Sequence, residues 1–170
     1  EGAQHRQKRM NLGVIIGLML FYFVITYCAL VVTFNTSYLA VGNDMHSSTA
    51  GIVISLFFIA IMAPGFILGD IVRLLGNKVN LCSLVVMAIG LGILSLSRPT
   101  DITLSLGAIL SGLGYGVMQP IIYDKAATNA PPHLSTLALS IVMVVNYLAI
   151  LVSPFIIDII GHIFDSESHT

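Results

Sequence analysis

The chain has 170 residues, of which 56% are hydrophobic and only 9% are charged, with a formal net charge of −1. An ordinary soluble domain carries about 25% charged residues, so the composition indicates lipid as the solvent for most of the chain. Because no basic block is present, nothing in the sequence would attract nucleic acid, and we predict no nucleic-acid partner.

Five long stretches of the sequence contain no Asp, Glu, Lys or Arg. A helix needs about 20 mainly apolar residues to cross a bilayer, and it satisfies its own backbone hydrogen bonds in hydrocarbon. The stretches also lack the two-residue alternation that is typical of membrane β-barrels. The sequence therefore predicts an all-α polytopic transmembrane bundle of five helices, at 12–39, 48–72, 79–97, 102–127 and 133–160.

The first predicted span is too long for a cleaved signal peptide, and four further spans follow it. Short polar segments separate the spans, so successive helices are expected to pack as antiparallel neighbours. We expect Ser47 or Ser48 to cap the second helix and Asp101 to cap the fourth. Asn129, followed by Pro131 and Pro132, is expected to start the fifth.

Glycine and proline positions predict how the spans pack. Pairs of glycines four residues apart allow helix backbones to approach closely; these pairs are Gly13 and Gly17, Gly65 and Gly69, and Gly112 and Gly116. Prolines inside helical segments remove a backbone hydrogen bond and favour kinks; these are Pro64, Pro120 and Pro154. Cys28 and Cys82 fall inside predicted spans, where buried free thiols are expected.

The distribution of cations predicts the orientation in the membrane. Lys and Arg close to short loops are retained in the cytoplasm. Arg98 lies alone at one side of the predicted bundle, and the remaining six cations lie at the other: Arg6, Lys8, Arg9, Arg73, Lys78 and Lys125. We therefore expect a multi-pass protein of the cell (inner) membrane whose N-terminus is cytoplasmic, with 164–170 as an extracytoplasmic loop or tail.

The end of the second span carries the most specific motif of the chain. The sequence from Gly69 to Lys78 reads Gly-Asp-Ile-Val-Arg-Leu-Leu-Gly-Asn-Lys. It resembles the loop of form G-x-x-x-D-R-x-G-R-R/K in the major facilitator superfamily. Gly69, Gly76 and Lys78 keep the spacing, whereas Arg73 stands at the acidic position, and Leu74 and Asn77 stand at the two basic ones.

The departures from that motif resemble the C-terminal half of the superfamily fold. The fifth span has Ser153 and Pro154 where drug antiporters of the family carry Gly-Pro, and the fourth lacks an embedded arginine. The resemblance implies helices seven to eleven, with 1–10 as the end of the central cytoplasmic loop and 11–163 as the bundle. It also implies a six-helix partner half and a twelfth helix beyond this chain.

The resemblance implies a secondary transporter rather than an enzyme, with a small-molecule substrate, the lipid bilayer as surroundings and no cofactor. Uncharged polar and aromatic residues of the spans are then candidates for the substrate cavity: Tyr22, Thr26, Tyr27, Asn35, Ser55, Phe58, Tyr115, Gln119 and Asn146. The three amides are costly in hydrocarbon unless they are bonded. Substrate contact and hydrogen bonding between helices both remain open for them, and packing remains open for the aromatic residues.

Titratable and charged residues lie toward the span ends. Proton coupling usually needs a titratable group near the middle of the membrane, and none is evident, so any coupling carboxylate is expected in the partner half. A cytoplasmic gate is expected instead, formed by Gly69, Asp70, Arg73, Gly76, Lys78 and Asp124. Independent solvated charges are the alternative.

An uncharged aromatic cavity favours efflux of drugs or other small molecules by an antiporter, and uptake of a neutral metabolite such as a sugar is the alternative. From another class, Gly69-Asp70 and Tyr123-Asp124 resemble the paired aspartates of intramembrane aspartyl proteases. The order is reversed and both carboxylates lie at a membrane boundary, so the match is weak. A channel or a non-transporting membrane subunit is a further alternative.

Overall fold

The computed structural model describes the backbone of residues 11–42, 47–95 and 100–167, and the side chains of 11–30, 48–95, 100–156 and 159. Asn35 lies outside the described side chains. The helices are α1 (Leu12–Gly42), α2 (Ser47–Leu75), α3 (Val79–Leu94), α4 (Asp101–Thr128) and α5 (Ser135–Glu167), with 3-10 turns at Gly76–Lys78 and Pro132–Leu134. The described ranges contain no strand, which confirms the prediction of an all-α bundle.

Four stretches of the described chain are long and apolar enough to cross a membrane: Leu12–Leu30, Ser48–Leu94, Asp101–Thr128 and Pro132–Ile156. The second stretch contains both α2 and α3, because it runs through the turn at Gly76–Lys78. α3 has 16 residues, about 24 Å at a rise of 1.5 Å per residue. It is therefore shorter than the hydrocarbon core of about 30 Å.

α2 ends where the backbone adopts a left-handed conformation. The helix continues to Leu75, three residues beyond the predicted end, and Gly76 follows with φ of 49°. Glycine takes this conformation without a side-chain clash, which explains why helices commonly stop before one. The second glycine that the motif retains, Gly76, is thus the residue at which the helix ends.

The N-terminus of α4 is capped differently from the prediction. The Thr100 N–H donates to Thr103 Oγ1 at 2.7 Å, and the Thr103 N–H donates to Thr100 Oγ1 at 3.3 Å. This reciprocal pair satisfies two donors that the helix itself leaves free. Thr100 is therefore the cap, and Asp101 is the first residue of the helix, where a negative charge is favourable.

Asn129 forms hydrogen bonds with the end of α4 and does not cap the start of α5. Its side-chain amide and its backbone N–H both donate to the Lys125 carbonyl, at 2.8 Å and 3.1 Å. Pro132 then opens the 3-10 turn that leads into α5, as expected for a residue with no N–H to satisfy. The prediction for this connection is confirmed for the prolines and wrong for the asparagine.

The chain divides into two compact units, one made of Glu1–Val24 and Ile121–Thr170 and the other of Ile25–Pro120. In the first unit, Ile15, Ala130 and Ala138 form a small buried cluster against which Met19 and Leu134 pack. The Asn11 N–H donates to the Asn129 carbonyl at 3.3 Å. The start of α1 therefore lies beside the end of α4.

In the Ile25–Pro120 unit, α4 packs between α2 and α3. A Cβ added to Gly112 would lie 2.6 Å from the Phe57 carbonyl oxygen, and one added to Gly116 would meet that of Ile61. On another face, a Cβ on Gly114 would lie 2.6 Å from the Ser83 carbonyl oxygen. A Cβ on Gly107 would lie 2.9 Å from the Gly90 carbonyl oxygen, so α3 runs antiparallel to α4. The two contacts with α2 make that helix parallel to α4, as expected for successive spans.

The predicted close approach of helices is confirmed at Gly112 and Gly116. At Gly17, Gly65 and Gly69 an added Cβ would meet no atom within 4 Å in the described part of the chain. At Gly13 it would meet only the side chain of Asn11, at 3.7 Å, whose Oδ1 accepts from the Val14 N–H at 3.4 Å at the start of α1. These other two glycine pairs therefore mediate no close packing among the described residues.

Candidate functional site

A buried hydrogen bond joins two of the predicted cavity residues within the Ile25–Pro120 unit. The hydroxyl groups of Thr26 on α1 and Tyr115 on α4 are 3.2 Å apart. Both side chains are buried, with 2% and 7% of their surface exposed. A buried hydroxyl is costly without a partner, and this bond gives a partner to both hydroxyls.

A second pair of hydroxyls lies within the other unit. Tyr22 on α1 and Tyr123 on α4 have hydroxyl oxygens 2.8 Å apart, and their rings are edge-to-face with centroids 5.6 Å apart. Tyr22 is completely buried. The predicted residue Tyr22 therefore has as its partner a residue that was not among the cavity candidates.

Tyr123 was identifiable in principle from helix periodicity. Tyr115, Gln119 and Tyr123 follow one another at intervals of four residues on α4, and residues four apart share a helix face. The sequence places Asp124 and Lys125 directly after Tyr123, which predicts that Tyr123 lies at the membrane boundary.

The other predicted cavity residues differ in their surroundings. Tyr27, Gln119 and Asn146 are partly buried, and neither amide is without an interaction partner. Ser55 and Phe58 are exposed on α2. The Ser55 hydroxyl donates to the Gly51 carbonyl at 2.8 Å within its own helix, so it needs no further partner.

Two serines that sequence reasoning did not single out as site residues are buried without a hydrogen-bond partner in the described part of the chain. They are Ser111 on α4 and Ser153 on α5, both with 0% exposure. Serine is small enough to replace alanine in a helix interface, and no sequence signal distinguishes an unbonded serine from one that bonds its own helix.

No group of three or more His, Cys, Asp or Glu side chains arranged to hold a metal ion occurs among the described residues. The predicted cavity residues carry hydroxyls, amides and aromatic rings, which bind by hydrogen bonds and surface contact.

Comparison with protein families decides the class of this bundle. The model of the Major Facilitator Superfamily matches residues 4–154. The chain belongs to this superfamily. Neither the characterised proteins nor the solved structures that were compared give a match.

Members of the Major Facilitator Superfamily are membrane transporters and not enzymes. The chain is therefore a multi-pass membrane protein of the transporter class, and its helices correspond to part of the transmembrane bundle of the superfamily. Membership in this class disfavours the protease interpretation of Asp70 and Asp124.

The superfamily motif, residues 69–78, covers the last turns of α2 and the 3-10 turn that follows. Asp70 and Arg73 lie in the last turns of α2, and Lys78 ends the 3-10 turn; all three side chains are exposed. Gly69 is also exposed, and Gly76 ends the helix. Asp124 is exposed on the segment of α4 that belongs to the other unit. The gate stays a prediction.

Proposed function

We propose that the chain forms part of the translocation pathway of a secondary active transporter that exports a small, largely apolar organic molecule by alternating access. The main support for this proposal is that the chain belongs to a superfamily of transporters and that several polar groups buried in its helices are uncharged. Tyr22, Thr26 and Tyr115 are uncharged, buried and lie in helices made mostly of apolar residues.

The absence of charge from these positions favours an organic substrate that is bound by surface contact and a few hydrogen bonds. Aromatic rings supply large contact areas, and tyrosine adds a hydroxyl at one end. Ligand sites in proteins commonly combine an apolar lining with a small number of placed polar groups. Gln119 and Asn146 are the amides that we propose to contact the substrate.

The proposal includes the partner half and the orientation. We propose that a six-helix half outside this chain completes the cavity, and that the N-terminal end of α1 faces the cytoplasm. Six of the seven cations support this orientation, since cytoplasmic ends of membrane helices are enriched in Lys and Arg.

Ligand-induced thermal stabilisation of the complete transporter in detergent tests the substrate class. A ligand that binds the folded state raises the midpoint of unfolding in a concentration-dependent manner. We expect stabilisation by hydrophobic organic cations and none by hexoses. The reverse result would favour uptake of a neutral metabolite and overturn the proposed efflux.

Replacing Gln119 by leucine tests its contact with the substrate. We expect Gln119→Leu to weaken binding about three- to tenfold, the typical effect of losing one neutral hydrogen bond. Leu106→Met changes an exposed leucine of the same helix and should leave binding unchanged. Equal affinities of the two variants would remove Gln119 from the proposed site.

A further inference from the structure

Among the described helices, α3 is the shortest. Its 16 residues extend about 24 Å, whereas the 29 residues of α2 and the 28 of α4 extend about 42 Å or more. The hydrocarbon core of a typical bilayer is about 30 Å thick. α2 and α4 are therefore long enough to cross it, and α3 is shorter than the core by several ångströms.

Both ends of α3 carry polar groups. Lys78 directly precedes the helix and is exposed, Asn80 lies half-buried in the first turn, and Ser95 follows the last turn and is exposed. A lysine reaches water from below the membrane surface by extending its long side chain, but asparagine and serine are too short to do so. In a bilayer of average thickness, polar groups at the ends of α3 would therefore lie among acyl chains.

The outer face of α3, which we define by its exposed residues, is entirely aliphatic. These residues are Leu81, Val85, Ala88, Ile89 and Gly92. Covering such a face with protein gains little inside a membrane, because acyl chains are as apolar as leucine. Membrane helices associate through close packing and hydrogen bonds instead, and the outer face of α3 offers no hydrogen-bonding side chain. Lipid is therefore the occupant that this face fits.

The opposite face of α3 fixes its depth relative to α4. A Cβ on Gly114 would lie 2.6 Å from the Ser83 carbonyl oxygen, and one on Gly90 would lie 2.8 Å from the Gly107 carbonyl oxygen. These two backbone contacts lie two turns apart along α3, within one compact unit. Close-packed backbones cannot slide past each other without losing contacts, so α3 cannot adapt to a thick bilayer by shifting along α4.

We propose that the outer face of α3 binds phospholipids with short acyl chains in preference to those with long ones, so that the bilayer is thinner beside α3 than beside α2. A bilayer thins around a hydrophobic stretch that is too short for it, and the cost rises with each ångström of mismatch. Short acyl chains reduce this cost. The proposal goes beyond transport and does not depend on the proposed function, because lipid binding is measurable without substrate.

Tryptophan quenching by brominated lipids tests the preference. The chain contains no tryptophan, so a single introduced one reports only on its own surroundings. Val85→Trp places it on the outer face of α3, and Ile59→Trp places it at an exposed position of the longer helix α2 as the matched control. The full chain is reconstituted in vesicles that contain brominated phosphatidylcholine with 14-carbon chains and unbrominated phosphatidylcholine with 22-carbon chains, at about equal amounts by design.

We expect the short lipid to bind about two- to fivefold more tightly than the long one at Val85→Trp, since mismatch costs fractions of a kcal/mol per ångström. At Ile59→Trp the ratio should be about one or lower. Vesicles in which the long lipid carries the bromine should give the same ratios, which excludes an effect of bromine depth.

Two further variants in the Val85→Trp background test whether the length of α3 causes the preference. Asn80→Leu combined with Ser95→Leu lengthens the apolar part of the helix at both ends, so the ratio should fall toward one. Ala88→Leu adds a leucine to the middle of the same face without lengthening it, and it should leave the ratio unchanged.

Three results would overturn the proposal. Equal ratios at Val85→Trp and Ile59→Trp would mean that α3 selects no lipid. Weak quenching at Val85→Trp by lipids of either length would mean that protein, such as a second copy of the chain, covers the face. Equal ratios in the lengthened variant and in Ala88→Leu would show that the length of α3 does not set the preference.

Discussion

Gly90 and Gly92 are two residues apart on α3 and have different surroundings. A Cβ on Gly90 would lie 2.5 Å from Ser111 Oγ and 2.6 Å from the Ser111 backbone nitrogen. At Gly92 it would meet nothing within 4 Å among the described residues. Two positions along a helix correspond to about 200° of rotation, so the two glycines face opposite sides.

Because of this difference, alanine is expected to affect the stability of the protein differently at Gly90 and at Gly92. We expect Gly90→Ala to destabilise the protein by about 1–3 kcal/mol, since overpacking forces backbones apart. Gly92→Ala should be neutral or stabilising by up to about 1 kcal/mol, because alanine favours the helix more than glycine does. Thermal unfolding in detergent measures both, and equal midpoints would contradict the packing between α3 and α4.

Single polar residues were partly predictable. Tyr22, Thr26 and Tyr115 stand out in the sequence because polar atoms are rare in these apolar spans, and the structure places all three in the interior. The bonding partner of Tyr22 was not predicted, because Tyr123 adjoins two charged residues. Which hydroxyls form a hydrogen bond depends on how two separate helices are rotated about their axes and shifted along them.

At the scale of the elements, the helices follow from local sequence and their ends depend on competition between neighbouring groups. The sequence offers Asp101 and Asn129 as N-caps, yet Thr100 caps α4, and Asn129 bonds the Lys125 carbonyl instead. Each helix end leaves backbone groups without a hydrogen bond. The nearest side chain with suitable geometry forms hydrogen bonds with them.

The end of α2 carries the charges of the predicted gate. Asp70 and Arg73 are three residues apart and both exposed. If this charge pattern biases the transport cycle, Arg73→Glu should change the transport rate by several-fold, whereas Arg73→Lys, which keeps the charge, should retain most of it. Initial rates in proteoliposomes measure this. Identical rates for both variants would favour independent solvated charges, since exposed ion pairs contribute little.

For the whole molecule, the orientation of the bundle remains a prediction with a direct test. Asp101 and Lys125 stand near opposite ends of α4, a helix of 28 residues that is about 42 Å long. In a Cys28→Ser, Cys82→Ser background, cysteines at 78 and 125 should react with an impermeant thiol reagent from the cytoplasmic side. A cysteine at 101 should react from the other side, and labelling of 78 and 125 from opposite faces would contradict the topology.

The sequence alone determined the class of protein, the number and approximate limits of its helices and the family to which it belongs. These properties depend on local quantities: the length of apolar stretches, the placement of charges and a short motif at the end of α2.

Only the tertiary structure decided which glycines contact a neighbouring helix and which hydroxyls bond one another. Gly112 and Gly116 lie against α2, whereas Gly65 and Gly69 meet nothing among the described residues, although the sequence pattern is the same. The physical reason is that contact depends on how separate helices are rotated and packed, and that arrangement minimises the free energy of the whole bundle. No single segment of the sequence encodes it.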